Sequence, residues 1–456
     1  FMGYQAGKGA TSAPYSSGGN NTAIGYQALK SFTTGGDNIA IGYQAADSLT
    51  TSNMVIAIGH SAAQAFTADR GYGIYIGRNA GYSETGTYND TMLGNGAGYT
   101  QNLGGAGTSY GYNTYLGYRA GYSNVSAGSN TYVGNDAGYA KTGDSNTAVG
   151  MRAMQNVASG NGNTAVGAIA GVHIHGNYST HIGYQAGRFS SGSNNTSLGY
   201  LAGYGSITSA PYSTGTDNTS VGYKALTNFT AGAANVALGY QALSELRTGT
   251  YSVGIGVHAG DHATGSYNTF VGGKAGMGGT SSAPYSSGVN NVAIGYEALT
   301  AFTTGGHNVA IGYRSGLDLT TGNYNTFLGR ESGFEVTTNE GSVFLGYQAG
   351  KNTKGDYHYN IAIGMQALSA AHTTAGTIAI GYKSAEALTS GAGNLAIGYQ
   401  AMKVHTTGAR NMAIGYGAMD DTDAGSNSLG SYNNIFIGYD AGGGTWADSA
   451  NINNVA

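Results

Sequence analysis

The apolar and polar positions of this chain recur in short, nearly identical blocks. One block reads Asn21-Thr22-Ala23-Ile24-Gly25-Tyr26-Gln27-Ala28, and it returns at Asn38–Ala45, Asn113–Ala120 and Asn394–Ala401. Anchored on the glycine, the blocks run from Gly3 to Gly438, about 25 of them at a usual spacing of about 17 residues, a period found in parallel β-solenoids. Ahead of each glycine stand a β-branched residue, a small or aromatic residue and an aliphatic one, as in Thr22-Ala23-Ile24, Val292-Ala293-Ile294 and Thr326-Phe327-Leu328. A period of two with β-branched enrichment predicts a strand. A helix would lose about 1 kcal/mol at every such glycine.

The remainder of each rung takes two forms, Ala28-Leu29-Lys30-Ser31-Phe32 or Ala120-Gly121-Tyr122 followed by a polar turn. The predicted rung is therefore a strong strand, a turn, a weaker strand and a second turn. The asparagine four residues before the glycine (Asn38, Asn146, Asn235, Asn308, Asn411) suits a turn entry, and stacked rungs would set those amides in a ladder. The fold class is all-β, one continuous parallel β-solenoid over residues 1–456. On the strand, Thr22 and Ile24 share one face and Ala23 and Gly25 the other. The first face is expected inside, with Ile24, Ile41 and Ile58 in one buried column. The smoother face, bearing Tyr132, Phe270 and Phe436 in some rungs, is expected to approach another copy of the chain. Longer rungs are expected to carry loop insertions near 8–20, 100–112, 204–217, 277–289 and 420–433. All three prolines fall in a Ser-Ala-Pro-Tyr-Ser motif inside these insertions. Proline cannot donate to a ladder, so the insertions are expected to take no part in it.

Composition narrows the classes. The chain has 82 Gly, 37 Tyr, 3 Pro and 9% charged residues, without collagen's three-residue period. A net charge of −4 and the lack of a basic run speak against nucleic acid or an anionic membrane as partner. Without cysteine there is no disulfide framework or thiolate metal site. No apolar stretch approaches the roughly 20 residues of a membrane-spanning helix. Both ends fall inside a repeat unit, which leads us to expect a window on a longer fibre.

The Asn-Thr-Ala-Ile-Gly-Tyr-Gln-Ala arrays resemble the repetitive shafts of phage tail-fibre proteins. They are also similar to the head repeats of YadA-type trimeric autotransporter adhesins, whose motif is Asn-Ser-Val-Ala-Ile-Gly. Asn291-Val292-Ala293-Ile294-Gly295 and Asn308-Val309-Ala310-Ile311-Gly312 match that motif best. The resemblance implies a homotrimeric, left-handed β-roll that reaches a host cell-surface receptor, glycan or protein. It implies a place in a virion tail fibre beside other tail or fibre proteins, or, as the alternative, on a bacterial surface. The longer period and the Ser-Ala-Pro-Tyr-Ser insertions favour the phage expectation.

Chemistry is sparse. Ile24-Gly25-Tyr26-Gln27-Ala28-Leu29 fits the hexapeptide of β-helical acyltransferases, but one hexad per rung complies where that architecture needs three. The carboxylates are scattered, so no acid/base pair is nominated and the chain is expected not to be an enzyme. Paired threonines such as Thr33-Thr34 and Thr303-Thr304 resemble an ice-binding array, but other rung types interrupt them. His173-Ile174-His175 puts two imidazoles on one side of an extended segment, and three chains would offer six to an iron ion; two exposed turn histidines are the plainer reading. Asp421, Asp423 and Asn427 alternate oxygen ligands as calcium loops do, without the closing glutamate. Otherwise no cofactor is expected. Specific binding is expected on the irregular segments, at Tyr15, Tyr110, Tyr112, Tyr212, Tyr285 and Trp446; the plainer reading makes these loops spacers, with Trp446 a loop anchor and binding at a tip elsewhere.

Overall fold

The structure is a computed structural model of the whole chain. It describes every residue except 10, 12–14, 68–71, 85–88, 101–110, 126, 141–142, 157–158, 209–211, 280–284, 354–357, 371, 421–430, 444–454 and 456. Two compact units result, Phe1–Ala231 and Gly232–Ala456. The first holds twelve strands from Thr22–Ile24 to Thr219–Val221, and the second twelve from Val236–Leu238 to Ile435–Ile437. Among the described residues there is no helix. Within each unit successive strands pair in parallel and in register, Thr22↔Ile39, Ala23↔Ala40 and Ile24↔Ile41 in the first, and Val292↔Val309, Ala293↔Ala310 and Ile294↔Ile311 in the second. Each unit is a parallel β-solenoid with one strand per rung.

The faces are the reverse of the sequence expectation. Ala23, Ala40 and Ala57 are buried, and so are Tyr132, Phe270 and Phe436, whereas Ile24 is 40% exposed. Ile24, Ile41 and Ile58 do form one aligned column, but it lies on the outer surface. Volume explains the inversion. The residue at the strand centre meets the one six positions later, where the rung turns back. A small centre pairs with a bulky partner, as in Ala23 with Leu29, Ala148 with Met154 and Ala293 with Leu299, all buried. A ring at the centre pairs with glycine, and a Cβ added there would overlap the ring: Gly121 at 2.7 Å from Tyr115, Gly138 at 2.5 Å from Tyr132. Where both positions are small, a neighbouring rung fills the space, as Leu243 and Phe270 do around Gly254 and Gly260. The two rung forms are thus two ways of filling one narrow interior to close packing. A third inward column stands nine residues after the strand centre, at Phe32, Leu49, Phe66, Ile174, Phe229 and Leu246.

The glycine that ends each strand is required by its conformation and by its neighbour. Gly295 has φ +131°, and a Cβ there would lie 2.5 Å from the carbonyl oxygen of Gly312 in the next rung. The asparagine column is the expected ladder. Asn308 donates from Nδ2 to Asn291 Oδ1 (3.1 Å) and to the Gly322 carbonyl (2.8 Å), while its Oδ1 accepts from the Asn325 amide (3.0 Å). These side chains are buried and replace the backbone partners that a strand would supply.

Two further expectations need correction. The second half of the rung is not a strand, although rung-to-rung bonds such as Leu29 N–H to the Ala45 carbonyl hold it. Two of the three proline-bearing insertions also return to the ladder at their last serine. Ser213 forms a parallel bridge with Ser190, and Ser286 with Ala263. The Ser213 hydroxyl donates to the Phe229 carbonyl at 2.9 Å. An insertion is therefore a lengthened rung rather than an appended loop.

Candidate functional site

Because small or aromatic side chains fill the interior, the outward positions of every rung are displayed in straight rows. The first is the aliphatic file, Ile24, Leu116 and Leu198 in the first unit, and Leu238, Ile294 and Leu328 in the second. The second follows each glycine and is mostly tyrosine. Tyr26 and Tyr43 stack with centroids 5.0 Å apart, and Tyr399 and Tyr416 at 4.9 Å. Each ring face is covered by the next ring, so along the ladder only ring edges and hydroxyls meet solvent. Another stack runs Tyr82-Tyr99-Tyr122-Tyr139. The third row is polar and left-handed. Gln27 (φ 55°) donates to Gln5 and Gln44 to Gln27, while Glu297 lies between Lys274 at 3.3 Å and Arg314 at 2.8 Å. Side chains of the second and third rows thus pair with the residue at the same place one rung away.

In the threonine pairs the first hydroxyl turns back to the ladder: Thr33, Thr303 and Thr320 each donate to a carbonyl of the next rung, while Thr34 and Thr304 are exposed.

The nominated binding tyrosines are distributed differently. Tyr15 is 74% exposed and Tyr112 projects outward from a left-handed backbone (φ 52°). Tyr212 and Tyr285 are half-buried against earlier rungs. Tyr110, Trp446, Asp421, Asp423 and Asn427 lie outside the described residues. His173 and His175 do share one side, with Ile174 turned into the core, and both rings face Tyr212, at 4.1 and 5.8 Å. Burial holds the His173 imidazole well below its ordinary range, at about 4, with His175 and Arg188 adding to the effect. Among the described residues no group of three or more histidines and carboxylates is placed to hold a metal ion.

Sequence reasoning reached one row only through Tyr112, which precedes Asn113, and missed the rest of it. The residue just before each ladder asparagine or its serine equivalent is left-handed and outward. There stand Tyr178, Tyr251, Tyr267, Tyr324 and Tyr359, all more than half exposed, with Tyr251 and Tyr267 stacked at 5.5 Å. The signal was present as Tyr-Asn and Tyr-Ser at one fixed place in the repeat. Four buried polar side chains were likewise missed: Glu84, His181, His372 and His405 occupy positions that are apolar in other rungs.

The fold and these rows define a class, a repeat solenoid whose surface is a set of linear side-chain ladders. No known protein family matches the chain, and no curated protein is significantly similar to it.

Proposed function

We propose that this chain is the shaft of a trimeric extracellular fibre, most consistent with a phage tail fibre, that carries host-receptor attachment and performs no catalysis. The aliphatic file carries the proposal. Each rung leaves two outer strand side chains, such as Val236 and Leu238, part exposed in one unbroken column per unit. At roughly 50 Å² per part-exposed aliphatic, the first unit, where threonine holds nine of the twelve first positions, offers about 750 Å² and the second about 1,100 Å². Either exceeds the apolar patch an isolated monomer ordinarily leaves in water. A flat, in-register column matches a second copy of itself, because every copy repeats at the same strand spacing. The number three comes from the resemblance to tail-fibre and adhesin repeats, and the buried face is now the Thr22/Ile24 side instead of the Ala23/Gly25 side.

Native mass spectrometry of the 456-residue chain tests the assembly: three chains are expected, and Ile294→Asp with Ile311→Asp should release folded single chains. A monomeric native mass for the unsubstituted chain would sink the trimer. Adsorption of the fluorescently labelled chain to a panel of bacterial strains tests attachment, and binding to none of them would refute the receptor-reaching role.

A further inference from the structure

The insertion that ends at Ser213 lays Tyr212 across two earlier rungs. Its ring stacks on His173 at 4.1 Å, and Phe189 stacks on the same imidazole at 5.3 Å. Phe189 carries the Arg188 guanidinium over its face at 4.8 Å and meets Tyr204 edge-on at 5.1 Å. Rings from three rungs thus form one aromatic cluster beside a single cation, with Phe189 buried and His173, Tyr204 and Tyr212 part exposed at its rim.

Among the described residues that cation has no carboxylate partner. Among the described residues nothing accepts from the Arg188 guanidinium, and its Nε is buried without a hydrogen bond. Arg119, Arg247, Arg314 and Arg330 each lie within 4 Å of a carboxylate, at Asp136, Glu245, Glu297 and Glu331. The difference is written in the sequence. From Ser145 to Thr216 there is no Asp, Glu or Lys, and the only permanent charges are Arg152 and Arg188. Leaving a partly desolvated guanidinium N–H unpaired is costly, and an anion from outside removes that cost with charge-assisted hydrogen bonds.

The second insertion repeats the architecture with opposite electrostatics. Tyr285 stacks on His262 at 6.1 Å and takes the Arg247 guanidinium at 5.6 Å. There Glu245 lies 3.7 Å from Arg247, and Asp261 lies 3.9 Å from His262. The second platform is neutralised from within and serves as an internal control.

We propose that the Arg188–Tyr212 platform binds a carboxylated saccharide, the carboxylate on the Arg188 guanidinium and the sugar ring against Tyr212. The inference rests on the receptor-attachment reading and supplies its ligand class. Arginine offers a planar fork that fits a carboxylate, and tyrosine offers rigid amphipathic area with a hydroxyl. Burial keeps His173 neutral near pH 7, so its ring contributes stacking while Arg188 contributes the charge.

Titration calorimetry of the full chain with tetragalacturonate, sialyllactose, maltotetraose and mannose 6-phosphate tests the proposal. At least one carboxylated sugar should bind in a salt-sensitive manner, and maltotetraose should not. Arg188→Gln and Tyr212→Ala should each weaken binding at least about tenfold, Arg188→Lys less, and Tyr285→Ala not at all, with amide protection at Ser213 verifying the fold. Equal binding of maltotetraose, or an Arg188→Gln variant of unchanged affinity, overturns the proposal. Binding of mannose 6-phosphate alone overturns the carboxylate assignment. If no saccharide binds a chain that still adsorbs to cells, the platform is wrong and the attachment role stands; if adsorption fails as well, both fall.

Discussion

Gly295→Ala isolates what the strand-ending glycine does. An alanine held at φ +131° occupies backbone space used almost only by glycine, at a cost of about 1–3 kcal/mol. Its Cβ would also stand 2.5 Å from the oxygen and 2.7 Å from the carbon of the Gly312 carbonyl. Both are backbone atoms, so relief requires moving the next rung, a further cost of about 1–3 kcal/mol. We expect a total near 4 kcal/mol, concentrated on the junction between Val292–Ile294 and Val309–Ile311 because solenoid rungs couple mainly to their neighbours. Hydrogen exchange reads it directly. The Gly312 amide donates to the Ile294 carbonyl at 2.8 Å, and its protection should fall by about a thousandfold. Gly19→Ala is the control. Gly19 lies outside the left-handed region and an added Cβ there would meet nothing within 4 Å, so the change should be within about 0.5 kcal/mol of neutral. Unchanged protection in Gly295→Ala, or equal damage in Gly19→Ala, would refute the reasoning.

Ala293→Phe alone should overpack against Leu299 and cost about 2 kcal/mol. Combined with Leu299→Gly, it recreates the ring-plus-glycine rung of Phe327 and Gly333, and chemical denaturation of the double variant should recover about 2 kcal/mol relative to additivity. Asn308→Ala leaves the Asn325 amide and the Gly322 carbonyl without their 3.0 and 2.8 Å partners, an expected loss of about 3 kcal/mol in the same assay. Burial pushes the His181 imidazole down to about 4 in the folded chain, and no charged residue flanks it at Ala165, Ser197 or Gly187. Its neutral form is the folded one. Stability should therefore be complete above the ordinary value of 6.5 and fall as pH drops from 6.5 towards 4, by up to about 3 kcal/mol. His181→Phe should remove that part of the acid sensitivity; a variant whose melting falls with acid as steeply as the unsubstituted chain would contradict this.

The repeat, the strand ahead of each glycine and the asparagine ladder were all legible along the chain. Each depends on a local rule, either period two in a strand or one side chain recurring at one rung position. The candidate site was legible only in part. His173, His175 and Tyr212 could be named, but Arg188 was not: the acid-free stretch from Ser145 to Thr216 carried the signal, and only the stacking of three rungs sets that cation beside Phe189 and Tyr212. Which face turns inward was decided by the tertiary structure alone. Both strand faces are apolar, and a hydrophobicity ranking places Ile24 inside ahead of Ala23. The closing rung leaves room for one bulky group between the strand centre and its sixth neighbour, however, and that neighbour already supplies it as Leu29 or withdraws it as Gly121. Ala23 and Tyr115 are therefore equally good core residues, each beside the right partner, and Ile24 is left on the surface. The sign of that choice lay in the sequence as a pairing between strand centre and sixth neighbour, but the pairing acquires meaning only once the rung closes and the two side chains compete for the same volume.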